Sequence, residues 1–139
     1  MSELTPEIRA FLSAGTRTGE LGYVASDGRP LVAPAWFVLD GDEPVFTTGA
    51  TTPKPRHRPG PARGVRVDLE EPPYAFVQVQ GTATVSDDPD ELLRLATAIG
   101  GRYTGADRAE EFGRRNAVPG ELVVRIRPTR IVSDFDVTG

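Results

Sequence analysis

Apolar residues recur along this chain with two different periods, and the changes between them mark helices and strands. Near the start, Ile8, Phe11 and Leu12 share one helical face. Thr5 offers a capping hydroxyl, Pro6 suits the first helical position, Glu7 puts an acid in the first turn, and Gly15 supplies a stop. The spacing predicts a short amphipathic helix. From Arg17 to Gly49 the runs become strand-like and are divided at Asp27-Gly28 and Asp40-Gly41, dipeptides suited to tight hairpin turns. Three consecutive antiparallel strands are expected, the middle one running from Leu31 to Leu39. Pro34 has no N–H to give to a ladder, so its part of that strand belongs at an edge, a bulge or a bend.

The clearest alternation runs from Tyr74 to Val85. Ala75, Val77, Val79, Ala83 and Val85 fall on one face, and Tyr74, Phe76, Gln78, Gln80, Thr82 and Thr84 on the other. The first face belongs to a core. The second combines aromatics with hydrogen-bonding groups and suits a ligand groove or a subunit interface, or else covers a second layer of core. Asp88-Pro89-Asp90-Glu91 starts a helix carrying Leu92, Leu95, Ala96 and Ile99 at helical spacing, with Gly100-Gly101 as the predicted stop. A more charged helical stretch follows from about Asp107 to Asn116. Two strand-like runs, Leu122–Pro128 and Ile131–Val137, finish the chain. With no repeat and no dividing linker, residues 1–139 read as one domain, mainly β with a few helices, and best as a small antiparallel barrel.

Composition narrows the chemistry. The 139 residues include 15 Gly and 13 Pro, which favour turns over a helical bundle, and no Cys, which removes disulfides, thiolate metal sites and a cysteine nucleophile. With a single histidine, a multi-histidine metal site is impossible, so no metal is expected. The N-terminus lacks the basic region of a signal peptide and no apolar run approaches membrane-spanning length, so a cytoplasmic protein is expected. The net charge of −4 makes nucleic acid an unfavourable partner.

That acidic chain nevertheless concentrates positive charge in one place. Between Pro44 and Val67 there is no acid, but there are Lys54, Arg56, Arg58, Arg63 and Arg66, with the only lysine and only histidine (His57) among prolines and threonines. Hydroxyls and backbone amides near Gly49, beside a lysine and arginines, form the donor set that a phosphate or carboxylate requires. A small anionic ligand is one reading of the segment; a solvated, proline-stiffened loop is the other. With no nucleophile and base within reach of each other, an enzyme of this composition would borrow its reactivity from a cofactor.

The succession Asp27-Gly-Arg-Pro30, Pro34-Ala-Trp-Phe37, Val45-Phe-Thr-Thr-Gly49, Thr52-Pro-Lys-Pro-Arg56, Pro72-Pro-Tyr-Ala-Phe-Val77, Gly81-Thr-Ala83, Arg102-Tyr-Thr-Gly105 and Arg125-Ile-Arg-Pro-Thr129 resembles the split-barrel flavin/deazaflavin oxidoreductases. This superfamily includes the pyridoxamine 5'-phosphate oxidases, and more narrowly the chain is similar to its actinobacterial branch that uses coenzyme F420. The resemblance implies a six-stranded antiparallel split β-barrel of the FMN-binding, Greek-key type, dimerising with cofactor sites between subunits. It implies that Thr52, Lys54 and Arg56 bind the cofactor phosphate with Thr48 nearby, and that Arg58 or Arg63 screens the polyglutamate tail of F420. It also implies that the Trp36 strand flanks the ring while Gln78 and Gln80 meet its edges. The implied activity is hydride transfer from reduced F420 to an electron-poor alkene, imine or quinone-like small molecule, with a proton from Tyr74, Tyr103 or solvent. An FMN-dependent oxidase or reductase, or a non-catalytic dimer, are the alternatives. The chain departs from the family pattern after Arg56, where His57-Arg58 and Pro61-Ala62-Arg63 stand in place of Asn-Leu and Asp-Pro-Arg. Pro53 and Pro55 also remove two backbone donors from the segment.

Overall fold

In a computed structural model, which describes residues 3–25, 27–49 and 63–139, the sheet is shaped by a hop of two residues. Strand β2 (Pro30–Ala35) and strand β3 (Val38–Asp40) are separated by Trp36 and Phe37 alone, yet they occupy opposite edges of one sheet ordered β2-β1-β5-β6-β7-β4-β3. The other strands are β1 (Gly19–Val24), β4 (Glu43–Gly49), β5 (Arg63–Leu69), β6 (Ala75–Ser86) and β7 (Glu121–Asp134), and every pairing is antiparallel. Laid flat, the outermost strands would be about 29 Å apart at 4.8 Å per strand, whereas Ala35 and Val38 are joined by a stretch no longer than about 11 Å. The sheet must therefore curl until its edges nearly meet. That is a split barrel.

The expected strand from Leu31 to Leu39 is thus two strands, and the sheet has seven strands where the resemblance implies six. The reason is Phe37, a fully buried side chain that takes the chain across the barrel, with Gly19 leaving it room: a Cβ there would lie 3.0 Å from the Phe37 ring and 2.9 Å from Val65. Both predicted hairpins form, between β1 and β2 and between β3 and β4, with Gly28 and Gly41 at positive φ. Pro34 lies on the edge strand β2, opposite Glu20. The two C-terminal runs are one strand, because a bulge opposite Gln80 and Gly81 carries it past Pro128.

The barrel interior holds Leu21, Phe37, Phe46, Val67, Val77, Val79 and Ile126, joined by Ile8 and Leu12 of helix α1 (Pro6–Ser13). Helix α2 (Pro89–Thr104) packs Leu92 and Leu95 on the outer face against Val45 and Val123. It runs through Gly100-Gly101 rather than stopping there, because these glycines serve packing. A Cβ on Gly100 would come within 2.6 Å of Phe112, on helix α3 (Ala109–Asn116), and one on Gly113 of that helix within 2.0 Å of Thr97. Gly105 ends the helix instead.

The last turn of α2 fastens the seam. Arg102 donates to the carbonyls of Leu12 (2.7 Å), Gly15 (3.0 Å) and Phe37 (2.7 Å), tying the end of α1 to the β2–β3 crossing. The Tyr103 hydroxyl donates to the Arg17 carbonyl at 2.8 Å and accepts from the Phe37 N–H at 3.3 Å. A second arginine holds the opposite edge. Arg125 of β7 meets Asp40, Glu43 and Glu91 at 2.8, 3.3 and 2.8 Å, and Arg94 also reaches Asp40.

Two outcomes follow from these arrangements. Arg102→Ala leaves three carbonyls without their donor and is expected to cost about 3 kcal/mol in denaturant unfolding. Arg102→Lys, a single point charge in place of a planar fork, should recover only part of that. Hydrogen bonds from Arg94, and then from Arg125, hold the Asp40 carboxyl below its ordinary value against the opposing effect of burial. Its contribution is therefore complete above the unfolded value of 3.8 and is lost as pH falls through the lower, folded value. Asp40→Asn should lower Tm at pH 7, and its gap from the wild type should close as pH drops below 3.8.

Candidate functional site

Alternation fixes which side chains of β5 and β6 leave the core. Glu20, Arg66 and Gln78 lie in one cross-strand row over β1, β5 and β6, and Gly22, Gly64 and Gln80 in the next. Side chains opposite each other in an antiparallel ladder share a face, so these rows form one outer surface of the barrel. Over them lies a groove of about 660 Å³. Its floor and sides include Gly22, Val24, Val32 and Gly64, while Gln78, Gln80 and Arg66 supply polar groups; Arg63 also lines it, from the buried face of β5. A mostly apolar concavity of this size with a few convergent polar groups has the make-up of a small-molecule site.

A second groove, of about 760 Å³, adjoins the first through Glu20 and Arg66 and is lined by Asp68, Tyr74, Phe76 and Val137. Arg66 stands between the two. Its guanidinium pairs with Asp68 at 3.0 Å, lies 4.0 Å above the Phe76 ring, and donates to the Gln78 side-chain oxygen at 3.4 Å. The Tyr74 to Thr84 face is therefore divided: Phe76, Gln78 and Gln80 are half-buried along grooves, and Tyr74, Thr82 and Thr84 are exposed.

Among the described residues, the two polar side chains that are deeply buried are Thr48 and Arg63, each 4% exposed. Thr48 is one residue from the end of β4 and Arg63 opens β5, so they bracket the basic segment. Burying such groups is costly unless they are paired, and both have partners. Thr52, Lys54, Arg56, His57 and Arg58 lie outside the described residues.

The structure brings Arg63 and Gln78 to one groove and leaves Trp36 elsewhere. Trp36 stacks on Tyr103 at 4.8 Å with the rings parallel, near Phe112, at the barrel seam. Tyr103 is occupied there too, since its hydroxyl bonds the Arg17 carbonyl and burial pushes its pKa up. Tyr74, by contrast, is 43% exposed at the second groove. Sequence reasoning missed Arg66 as the residue that orders Gln78. The spacing to Asp68, two positions along one strand face, was the available signal. Among the described residues no group of three or more His, Cys, Asp or Glu is arranged to hold a metal ion, and no helix is long and apolar enough to cross a membrane.

Residues 5–133 match the family described as pyridoxamine 5'-phosphate oxidase. Solved structures that resemble the chain include the conserved hypothetical protein Rv2991 of Mycobacterium tuberculosis, at 24% identity and a TM-score of 0.80, over 95% of this chain and 85% of that one. An F420 reductase is 26% identical with a TM-score of 0.67, over 92% and 98% of the two chains. The haem storage protein HutZ of Vibrio cholerae is 18% identical with a TM-score of 0.71, over 99% of each chain. The first and third likenesses speak to the fold alone. No curated protein matches the chain. With the split barrel, its outer groove and a match over nearly all its length, this chain belongs to the pyridoxamine 5'-phosphate oxidase-like split-barrel family.

Proposed function

We propose that the protein is an F420-dependent reductase that works as a homodimer. The observation that carries this reading is the groove on β1, β5 and β6: apolar in its floor, edged by glutamine amides and arginines, and reached by the strand that leaves the basic segment. Such a surface fits a flat conjugated ring with an anionic tail. The 26% identity to an F420 reductase over almost the full length of both chains supports the deazaflavin over other ring systems.

In this reading Thr52, Lys54 and Arg56 hold the phosphodiester, with Thr48 beside them, and of Arg58 and Arg63 it is Arg58 that screens the carboxylates of the tail, since Arg63 is buried and already paired. When bound, reduced F420 supplies a hydride to an electron-poor alkene, imine or quinone-like acceptor. The chain's own work is to bind, orient and exclude water. Gln78 and Gln80 fix the position of the ring edge, and Val24 and Val32 keep its surroundings dry. The proton that must accompany the hydride comes from Tyr74 or from water, because the Tyr103 hydroxyl is committed to Arg17.

The family description favours a second occupant of the same groove, FMN. A yellow protein as purified would decide for it. The test is a titration of the apo-protein with F420 and with FMN, followed by ligand fluorescence. F420 is expected to bind more tightly, and Lys54→Ala to weaken it at least about tenfold through loss of a charge-assisted contact. Sedimentation should give twice the 15.0 kDa mass of the chain. Binding of neither cofactor would contradict the reading.

A further inference from the structure

Most of the glycines inside the described strands and helices have an internal reason to be there. Gly19 makes room for Phe37, Gly81 for the Arg127 carbonyl 1.9 Å from where its Cβ would be, and Gly100 and Gly113 for the crossing of α2 and α3. Gly22 and Gly64 do not. Both lie in strand interiors, where glycine is unfavourable, and neither has the left-handed backbone that would require it. Among the described residues, a Cβ on Gly22 would meet nothing closer than the Gly64 carbonyl at 4.0 Å, and one on Gly64 nothing closer than the Val79 carbonyl at 3.4 Å. Among the described residues, nothing stands in the way of alanine at either place.

These two residues are directly paired across β1 and β5, and they face outward in one row with Val32 on β2 and Gln80 on β6. They form a bare, flat strip on the groove floor. From Val32 to Gln80 the row spans three strand spacings, about 14 Å, which is long enough for three fused six-membered rings lying flat. Glycine in a strand without internal cause marks a place where something outside the strand comes close to the backbone.

The neighbouring row states what the edge of that visitor must be. Arg66 can only donate, so the Gln78 atom it contacts at 3.4 Å is the amide oxygen, and the Gln78 NH2 is left to face the groove. Asp68 and the Phe76 ring hold Arg66 in place. Gln78 is in this way a donor of fixed orientation, suited to a carbonyl or anionic ring nitrogen.

We infer that a planar conjugated ring lies face-down on the Gly22–Gly64 strip, with an acceptor edge turned to the Gln78 amide. This rests on the cofactor reading above and deepens it: Gly22 and Gly64 set how closely the ring approaches, and Gln78, oriented by Arg66, reads its edge. A side chain as small as a methyl group on the strip lifts the ring away from both.

The test uses the full-length protein, Gly22→Ala, Gly64→Ala and Gln78→Glu, each titrated with F420 and with lumiflavin, a ring that carries no phosphate. Thermal unfolding and sedimentation are measured in parallel. Both alanine variants should unfold at or above the wild-type temperature and keep the wild-type mass, while binding either ring at least tenfold more weakly. Gln78→Glu, which offers an acceptor of the same size, should weaken ring binding to a similar degree. F420 affinity unchanged in all three variants would overturn this inference while leaving the cofactor reading intact. Lumiflavin binding lost in the variants, in a protein that turns over no substrate with reduced F420, would uphold the strip and reject the reductase. Alanine variants that change mass but not ring affinity would show that a second copy of the chain covers the strip, and would also overturn the inference.

Discussion

The constraint on which the rest depends is the two-residue connection between the outermost strands. A chain that leaves one edge of a seven-stranded sheet at Ala35 and enters the other at Val38 has no flat solution. Curling the sheet removes most of its exposed edge, which is one way antiparallel proteins avoid edge-to-edge association. It also makes the crossing peptide a point of tension between polar backbone and apolar interior. The backbone of Phe37 has to be met where its side chain is fully buried: Arg102 donates to its carbonyl, and the Tyr103 hydroxyl accepts from its N–H.

Arginine performs several jobs in this barrel, and its surroundings decide which. Arg102 and Arg125 each converge on three oxygens from separate elements and act as rivets, one at the seam and one between β7, the β3–β4 hairpin and α2. Arg66 is partly exposed and instead fixes its neighbours on the groove wall. The planar, many-donor guanidinium suits all of these roles, whereas the ammonium of a lysine is a mobile point charge.

Local chemistry was legible wherever the cause was local. Thr5 caps α1 through a 3.2 Å bond to the Ile8 N–H, Asp88 caps α2, and the faces of β6 follow the alternation seen from Ala75 to Ala83. The failures have long-range causes. Pro34 signals an edge or a bend, but nothing near Trp36 announces that the chain crosses there to the other edge of the sheet, because the reason is the burial of Phe37 inside the barrel. Gly100-Gly101 looked like a stop because glycine ends helices in isolation; only the presence of Phe112 and Ala109 against it shows the other use. For the site, the basic segment and the glutamine face could be read from residue types, but not that Gln78 and Arg63 share a groove that excludes Trp36.

The central claim is that the outer groove of β1, β5 and β6 is where this family member holds its cofactor. The most direct measurement is a crystal structure of the protein grown with oxidised F420. The account predicts ring density along the groove beside Gln78, with the phosphodiester running toward Lys54. Ring density at the Trp36–Tyr103 seam, or inside the barrel, with the outer groove left to solvent, would contradict it.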